Sequence, residues 1–231
     1  MTVSELTVKV YVLENVESNQ LYNQIASLID TTLSKDPKFL KLHQENTFKN
    51  YCFDGLYPLE KGGSYQKGKI YSFRIRTIDE KLLKYLTNHI ANAYTSRLKV
   101  LTVVCRDIPQ KHLEKIFTIT PCILKNDGGY WRKLLSIDEY ENRIKVNLIK
   151  NYNDYFNVKI DEAFQFFTRI EFNNEKPIAV PFKDGISLLG DKITLYISEN
   201  QTAQELAYFA LGVGLGEIGS RGFGFPGYRY L

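Results

Sequence analysis

Residues Leu6 to Leu13 alternate apolar with polar side chains and are rich in valine, the period-two signature of a strand with one buried face. The period changes over 18–34, where Leu21, Ile25, Leu28, Ile29 and Thr32 share one helical face and Ser18 stands where a cap is expected. Residues 35–50 follow neither period and read as irregular. Extended segments return in KNYCFDGLYP (49–58) and KIYSFRIRT (69–77), separated by the glycines of EKGGSYQKG. Thr77 and Glu80 have the spacing of a capping box, and the stripe Leu82, Leu83, Leu86, Ile90 and Ala93 predicts a helix behind them. RLKVLTVVCRDI (97–108) then reads as a strand.

That order, β-α-β-β-α-β, is the ferredoxin-like unit. The second half can be read the same way, less cleanly. KIFTITPCIL (115–124) predicts a strand, SIDEYENRIKVNLIKNYNDYF (136–156) a helix, and FQFFTRIEF, KPIAVPF and KITLYIS three strands. A helix from Thr202 to about Leu211 and a last extended segment, GFGFPGYRYL, complete the chain. The expected fold class is α+β, two tandem ferredoxin-like (RRM-like) domains over 1–110 and 111–231. No sequence repeat supports the duplication, which rests on element order alone.

Composition narrows the function. A hydrophobic content of 44% in 231 residues is that of a globular chain. No apolar run approaches the ~20 residues of a membrane span, and the N-terminus lacks the pattern of a signal peptide. The expectation is a cytoplasmic protein with no membrane partner. Cys52, Cys105 and Cys122 are widely spaced in strand-like contexts and read as structural thiols. No paired carboxylates or local His/Cys spacing predicts a metal, and no cofactor is expected.

The net charge is +4, but residues 1–115 carry 17 Lys/Arg against 12 Asp/Glu while residues 116–231 carry 13 against 14. The excess lies in the window 35–76, which includes Lys38, Lys41, Lys49, Arg74 and Arg76. Tyr51, Phe53, Tyr57, Tyr65, Tyr71 and Phe73 are interleaved there. Such a window suits a polyanion whose bases stack; the competing reading is a solvated sheet with core aromatics.

The C-terminal stretch GLGEIGSRGFGF (214–225) belongs to a run with seven glycines between Gly212 and Gly227. Glycine admits positive φ and close backbone approach, and successive N–H groups can cradle a phosphate. Ser220 and Arg221 add a hydroxyl and a planar cation at the tip. Phe223, Phe225, Tyr228 and Tyr230 argue that the segment is packed rather than a loose tail. Gly214 to Gly219 also fits a dinucleotide fingerprint, which is rejected because it follows a helix and is not followed by the required unit.

Gly214-Leu215-Gly216, five residues, then Gly222-Phe223-Gly224, between a last helix and a last strand, resembles the glycine-rich signature of the CRISPR repeat-RNA endoribonucleases of the RAMP family. The segment from Leu42-His43 to Phe53 is similar to that family's catalytic region. The resemblance implies a metal-independent endoribonuclease that cuts repeat-containing transcripts into guide RNAs by 2′-hydroxyl attack. It implies His43 as general acid or base, Lys49 as stabiliser of developing charge, and Tyr22 as a third candidate. An imidazole titrates near neutrality, which suits that role. RNA is expected across the basic window, at Lys38, Lys41, Arg74 and Arg76, and at the glycine loop, at Gly214, Gly216, Ser220, Arg221, Gly222 and Gly224. Effector-complex subunits and a second copy of the chain stay open as partners. A non-catalytic RNA-binding subunit and a ferredoxin-like protein for a small phosphorylated ligand are the alternatives. His89 and His112 read as surface residues and Trp131 as a packing anchor.

Overall fold

The structure, a computed structural model, describes residues 1–45, 47–183 and 185–231, and excludes the side chains of residues 42–44 and 183. The chain runs β1 (Val3–Val12), β2 (Val16–Glu17), α1 (Leu21–Leu33), α2 (Pro37–Gln44), β3 (Tyr51–Phe53), β4 (Ser64–Tyr65), β5 (Ile70–Thr77), α3 (Glu80–His89) and β6 (Leu98–Ile108). It continues with β7 (Leu113–Thr118), α4 (Ile137–Phe156), β8 (Phe167–Phe172), β9 (Ile178–Lys183), β10 (Ile186–Gly190), β11 (Ile193–Ile197), α5 (Gln201–Val213) and β12 (Pro226–Tyr230).

Two four-stranded antiparallel sheets result, β3-β5-β1-β6 and β12-β7-β11-β8, with the small pairs β2/β4 and β9/β10 beside them. Counted within its own unit, each sheet places its strands in the order fourth, first, third, second. The duplication that element order predicted is therefore a duplication of topology, the tandem ferredoxin-like architecture. The first core joins Leu6, Val8, Val10 and Val12 of β1 to Ile25, Leu28 and Ile29 of α1 and Leu82 and Leu86 of α3. The second sets Ile116 and Leu195 against Ile144 and Leu148 of α4 and Leu206 and Phe209 of α5.

Helix starts differ from the sequence reading in instructive ways. Ser18 is not the cap of α1, which begins after Gln20 with no side-chain cap bond. At α3 the cap is Asp79, whose carboxylate accepts from the Lys81 and Leu82 N–H groups, and the Thr77 hydroxyl accepts from Asp79 N–H instead of forming a box with Glu80. Ser136 and Glu139 do form a capping box at α4. Residues 35–50 are not irregular throughout. Asp36 caps α2 by accepting from Lys38 N–H, and Pro37 occupies the first turn, where a missing N–H costs nothing.

Helix α5 joins the two halves, because every residue from Leu206 to Val213 is buried, on both faces of the helix. Tyr208 lies between β1 and β6, accepting from Val3 N–H at 3.1 Å and donating to the Ile108 carbonyl at 2.6 Å. Cys52 is fully buried beside the Leu211 and Gly212 carbonyls, and burial pushes its thiol up to about 12. Cys122 is equally buried, whereas Cys105 is exposed on β6. Among the described residues no helix is long and apolar enough to cross a membrane.

Candidate functional site

The glycine run is built against the rest of the protein. It leaves α5 at Gly214, where φ is +89°, and returns into β12 after Gly224, where φ is +68°. Its N–H groups are largely used inside the fold: Gly214 donates to the Ala210 carbonyl, Leu215 to Gly224, Glu217 to Ile123, Gly222 to Gly219 and Gly224 to Pro121. This corrects the expectation that Gly214, Gly222 and Gly224 present N–H donors to RNA. Their missing side chains serve internal packing. A Cβ on Gly222 would lie 2.5 Å from the Tyr22 ring, and one on Gly216 would lie 2.7 Å from the Ile123 carbonyl. Phe223 and Phe225 are buried as the alternation suggested.

Arg76 is a second correction. Instead of facing RNA it is 1% exposed, ion-paired to Glu5 at 2.7 Å, and donates to the Pro226 carbonyl at 2.6 Å. Burial raises the Glu5 pKa, but Arg76 and then Arg106 outweigh it and hold the carboxyl below its ordinary value. A buried charge needs such partners, and here they fasten β1 and β5 to β12. The interleaved aromatics are likewise core: Tyr51, Phe53, Tyr65, Tyr71 and Phe73 are at most 4% exposed, and Tyr57 alone of the six is exposed, at 71%.

The remaining cations are placed differently. Lys38 and Lys41 lie exposed on α2, with Lys41 loosely paired to Glu45. Arg74 is one-third exposed and held by Asp54 at 2.6 Å. Ser220 is half-buried in the short 3-10 turn Gly219–Arg221. Arg221 of that turn reaches back to α1, pairing with Asp30 at 2.8 Å while a third of its side chain stays exposed. Lys49 donates to the Glu45 carbonyl at 2.5 Å. Its ammonium titrates below an ordinary lysine, through burial first and then the Arg221 charge, against the pull of Glu45 and Asp30. Asp30 was not anticipated. The available signal was an acid in the last turn of a helix, where the dipole disfavours it unless a cation answers.

Lys49, Arg221 and Asp30 thus meet where α1, the segment before β3 and the glycine loop converge. Tyr22, about two turns before Asp30 on α1, packs against the glycine loop instead, its ring 4.9 Å from Phe223. Burial drives its phenol well above the ordinary tyrosine range, so it stays protonated and can donate a hydrogen bond but not act as a base. His43 belongs to α2, but its side chain lies outside the described residues. His89 stacks on Tyr85 at the exposed end of α3, and His112 is exposed. Trp131 is 3% exposed and donates to Asp191, a packing anchor as expected.

Paired ferredoxin-like sheets closed by a glycine-rich loop are the architecture of RAMP proteins, and comparison with solved structures bears this out. A structure of a CRISPR-associated protein Cas6 superposes with a TM-score of 0.70 at 21% identity, over 98% of this chain and 99% of that one. A Cas6-related protein from Pyrococcus furiosus gives 0.67 at 18% identity, over 98% of both chains. A RAMP protein that binds different RNA substrates gives 0.70 at 17%, over 98% and 99%. No curated protein sequence matches. The family model for the C-terminal part of CRISPR-associated protein Cas6 matches residues 106–226, more than half of the chain. The chain belongs to the Cas6 family of RNA-cleaving proteins.

Proposed function

We propose that the protein cuts CRISPR precursor transcripts within their repeats, without a metal ion, by in-line attack of a ribose 2′-hydroxyl on the adjacent phosphate. One fragment then carries a 5′-hydroxyl and the other a cyclic or 3′-phosphate. The observation that carries the reading is the meeting of Lys49, Arg221 and Asp30 between α1 and the glycine loop. A cleaving phosphate gains negative charge as it becomes five-coordinate, and fixed cations in a partly buried site stabilise that charge most. His43, on the helix just before this cluster, serves as general acid or base. Lys49 holds the developing charge, and Tyr22 supports both from α1. Lys38, Lys41, Arg74, Ser220 and Arg221 contact the RNA. In this reading residues 1–110 form the catalytic domain and residues 111–231 the domain that supplies the loop, and the product RNA is passed on to an effector complex.

The test is cleavage of a repeat RNA in excess chelator with analysis of the fragment ends. The expected result is an unchanged rate, a 5′-hydroxyl and a cyclic phosphate. A 5′-phosphate product, or loss of cleavage restored by added magnesium, would overturn the proposal. A second expectation concerns Arg221. Arg221→Ala removes one phosphate contact, so the slope of log affinity against log salt should flatten by about 0.7 for a single-stranded contact and about 0.9 for a duplex one. Because the Asp30–Arg221 ion pair is then lost, a modest fall in melting temperature should accompany it. A salt titration with wild-type slope would leave Arg221 a structural role only.

A further inference from the structure

Two cations and one anion meet between α1 and the glycine loop. Lys49 comes from the segment before β3 and anchors its ammonium on the Glu45 carbonyl at 2.5 Å. Arg221 comes from the turn Gly219–Arg221, near the other end of the chain. Asp30 comes from α1, and its carboxylate takes the Arg221 guanidinium at 2.8 Å across 191 positions of sequence. The acid also acts on Lys49. Burial is the largest influence on that ammonium and lowers its pKa; Glu45 opposes the shift, Arg221 adds to it, and Asp30 opposes it. Beneath them Tyr51 of β3 is fully buried, and burial first, then the Asp30 charge, keeps its phenol protonated against the pull of Arg221.

Helix stability does not explain this acid. Asp30 lies in the last turn of α1, where the helix dipole disfavours a carboxylate. Its side chain is 23% exposed and that of Arg221 34%, and an ion pair with this much solvent contact contributes little to stability. What it does is local. Two cations brought to one place repel each other, and a long arginine swings away from a lysine unless an anion holds it. Glu45 is poorly suited to that task, being nearly half exposed and loosely paired with Lys41 at 3.7 Å. Asp30 stands on a helix fixed to the core by its neighbours Ile25, Leu28 and Ile29, so its carboxylate is set by a rigid element. We propose that Asp30 is a positioning residue of the RNA-cleaving site, which touches no RNA but fixes the Arg221 guanidinium near the Lys49 ammonium so that both cations face one phosphate. This role rests on the reading of Lys49 and Arg221 as groups that act on a cleaving phosphate. The same negative charge repels RNA, so Asp30 raises the rate and lowers the affinity. A residue that only held the fold would raise both.

The experiment compares the full chain with Asp30→Asn, which keeps the shape of the side chain and removes its charge. Binding of a repeat RNA at low salt should be as tight as in wild type or tighter. The single-turnover cleavage rate at saturating protein should fall roughly 10- to 100-fold, the effect of misplacing one group at a reacting centre. The alkaline limb of the rate should move to lower pH, because Lys49 loses an anion that favours its charged form. Lys49→Arg in the Asp30→Asn background should erase that movement, since a guanidinium stays charged. Asp30→Glu retains the anion and should lie nearer to wild type than Asp30→Asn in both rate and limb. Equal cleavage rates in wild type and Asp30→Asn, a loss of affinity that matches the loss of rate, or Asp30→Glu no better than Asp30→Asn would overturn the role. An Asp30→Asn chain that melts far below wild type would also overturn it, since the acid would then hold the fold. A wild type that cuts repeats while Asp30→Asn cuts equally well loses this role alone, and a wild type that cuts no repeat loses the cleavage reading and this role with it.

Discussion

A repeat RNA with hydrogen in place of the 2′-hydroxyl at the nucleotide 5′ to the cut should bind with unchanged affinity and not be cleaved. The attacking oxygen in the proposed reaction belongs to the substrate, so its removal takes away the nucleophile and nothing in the protein replaces it. What the protein supplies is a proton acceptor, a proton donor and charge. His43→Ala should therefore slow single-turnover cleavage of the all-ribose substrate on the order of 10²-fold or more, the usual contribution of a positioned acid or base. RNA affinity should change little, since a neutral imidazole adds little to phosphate binding. Lys49 contributes differently. Its burial and the neighbouring Arg221 lower its pKa, so its charge is lost at a lower pH than that of a free lysine. Cleavage should accordingly fall on the alkaline side earlier than an ordinary lysine would predict, and Lys49→Arg should move that limb upward. Cleavage of the deoxy substrate at the all-ribose rate would mean that water or a side chain attacks. Wild-type activity in His43→Ala would remove the histidine from the mechanism.

Much of the fold was legible because both halves obey simple periods. The alternation in β1, the apolar stripes of α1 and α3 and the glycine spacing before β12 each point to one local structure, and together they point to one topology. Less legible was what depends on partners distant in sequence. Arg76 looks like any basic residue on a strand. Only the pairing of β1 with β5, and the approach of β12, bring Glu5 and the Pro226 carbonyl to it and turn a surface cation into a buried one. The aromatics of the basic window follow the same logic. Tyr71 and Phe73 alternate with polar residues on β5, and that alternation already placed them on the core side of the strand. Period is the better guide there than charge pattern. Helix α2 was missed although Asp36-Pro37 carries both of its start signals, a cap and a first-turn proline, because the helix has too few apolar residues to show a stripe.

Gly224→Ala should lower the melting temperature by roughly 5–15 °C, the shift expected when a chain of this size loses a few kcal/mol. The reason is internal to the protein. Gly224 has φ +68°, a conformation that costs a residue with a Cβ about 1–2 kcal/mol. The added carbon would also fall 1.8 Å from the Leu215 carbonyl oxygen, which is main chain and cannot rotate away. Relieving the overlap displaces a segment held on both sides, since Leu215 donates to the Gly224 carbonyl and Gly224 donates to Pro121, each at 2.8 Å. Overpacking of this kind adds about 1–3 kcal/mol to the conformational term. Gly62→Ala is the control, because φ is ordinary there and nothing lies within 4 Å of the new carbon, so its melting temperature should stay at the wild-type value. The loop that carries the family signature also carries Arg221, so RNA affinity and cleavage should fall in Gly224→Ala in step with the loss of folded loop. The two measurements together separate a structural from a contact role for the glycines. A Gly224→Ala protein that melts with the wild type but has lost RNA affinity would show that the backbone at this position touches the RNA itself, and that the internal packing of the loop is not what requires glycine there.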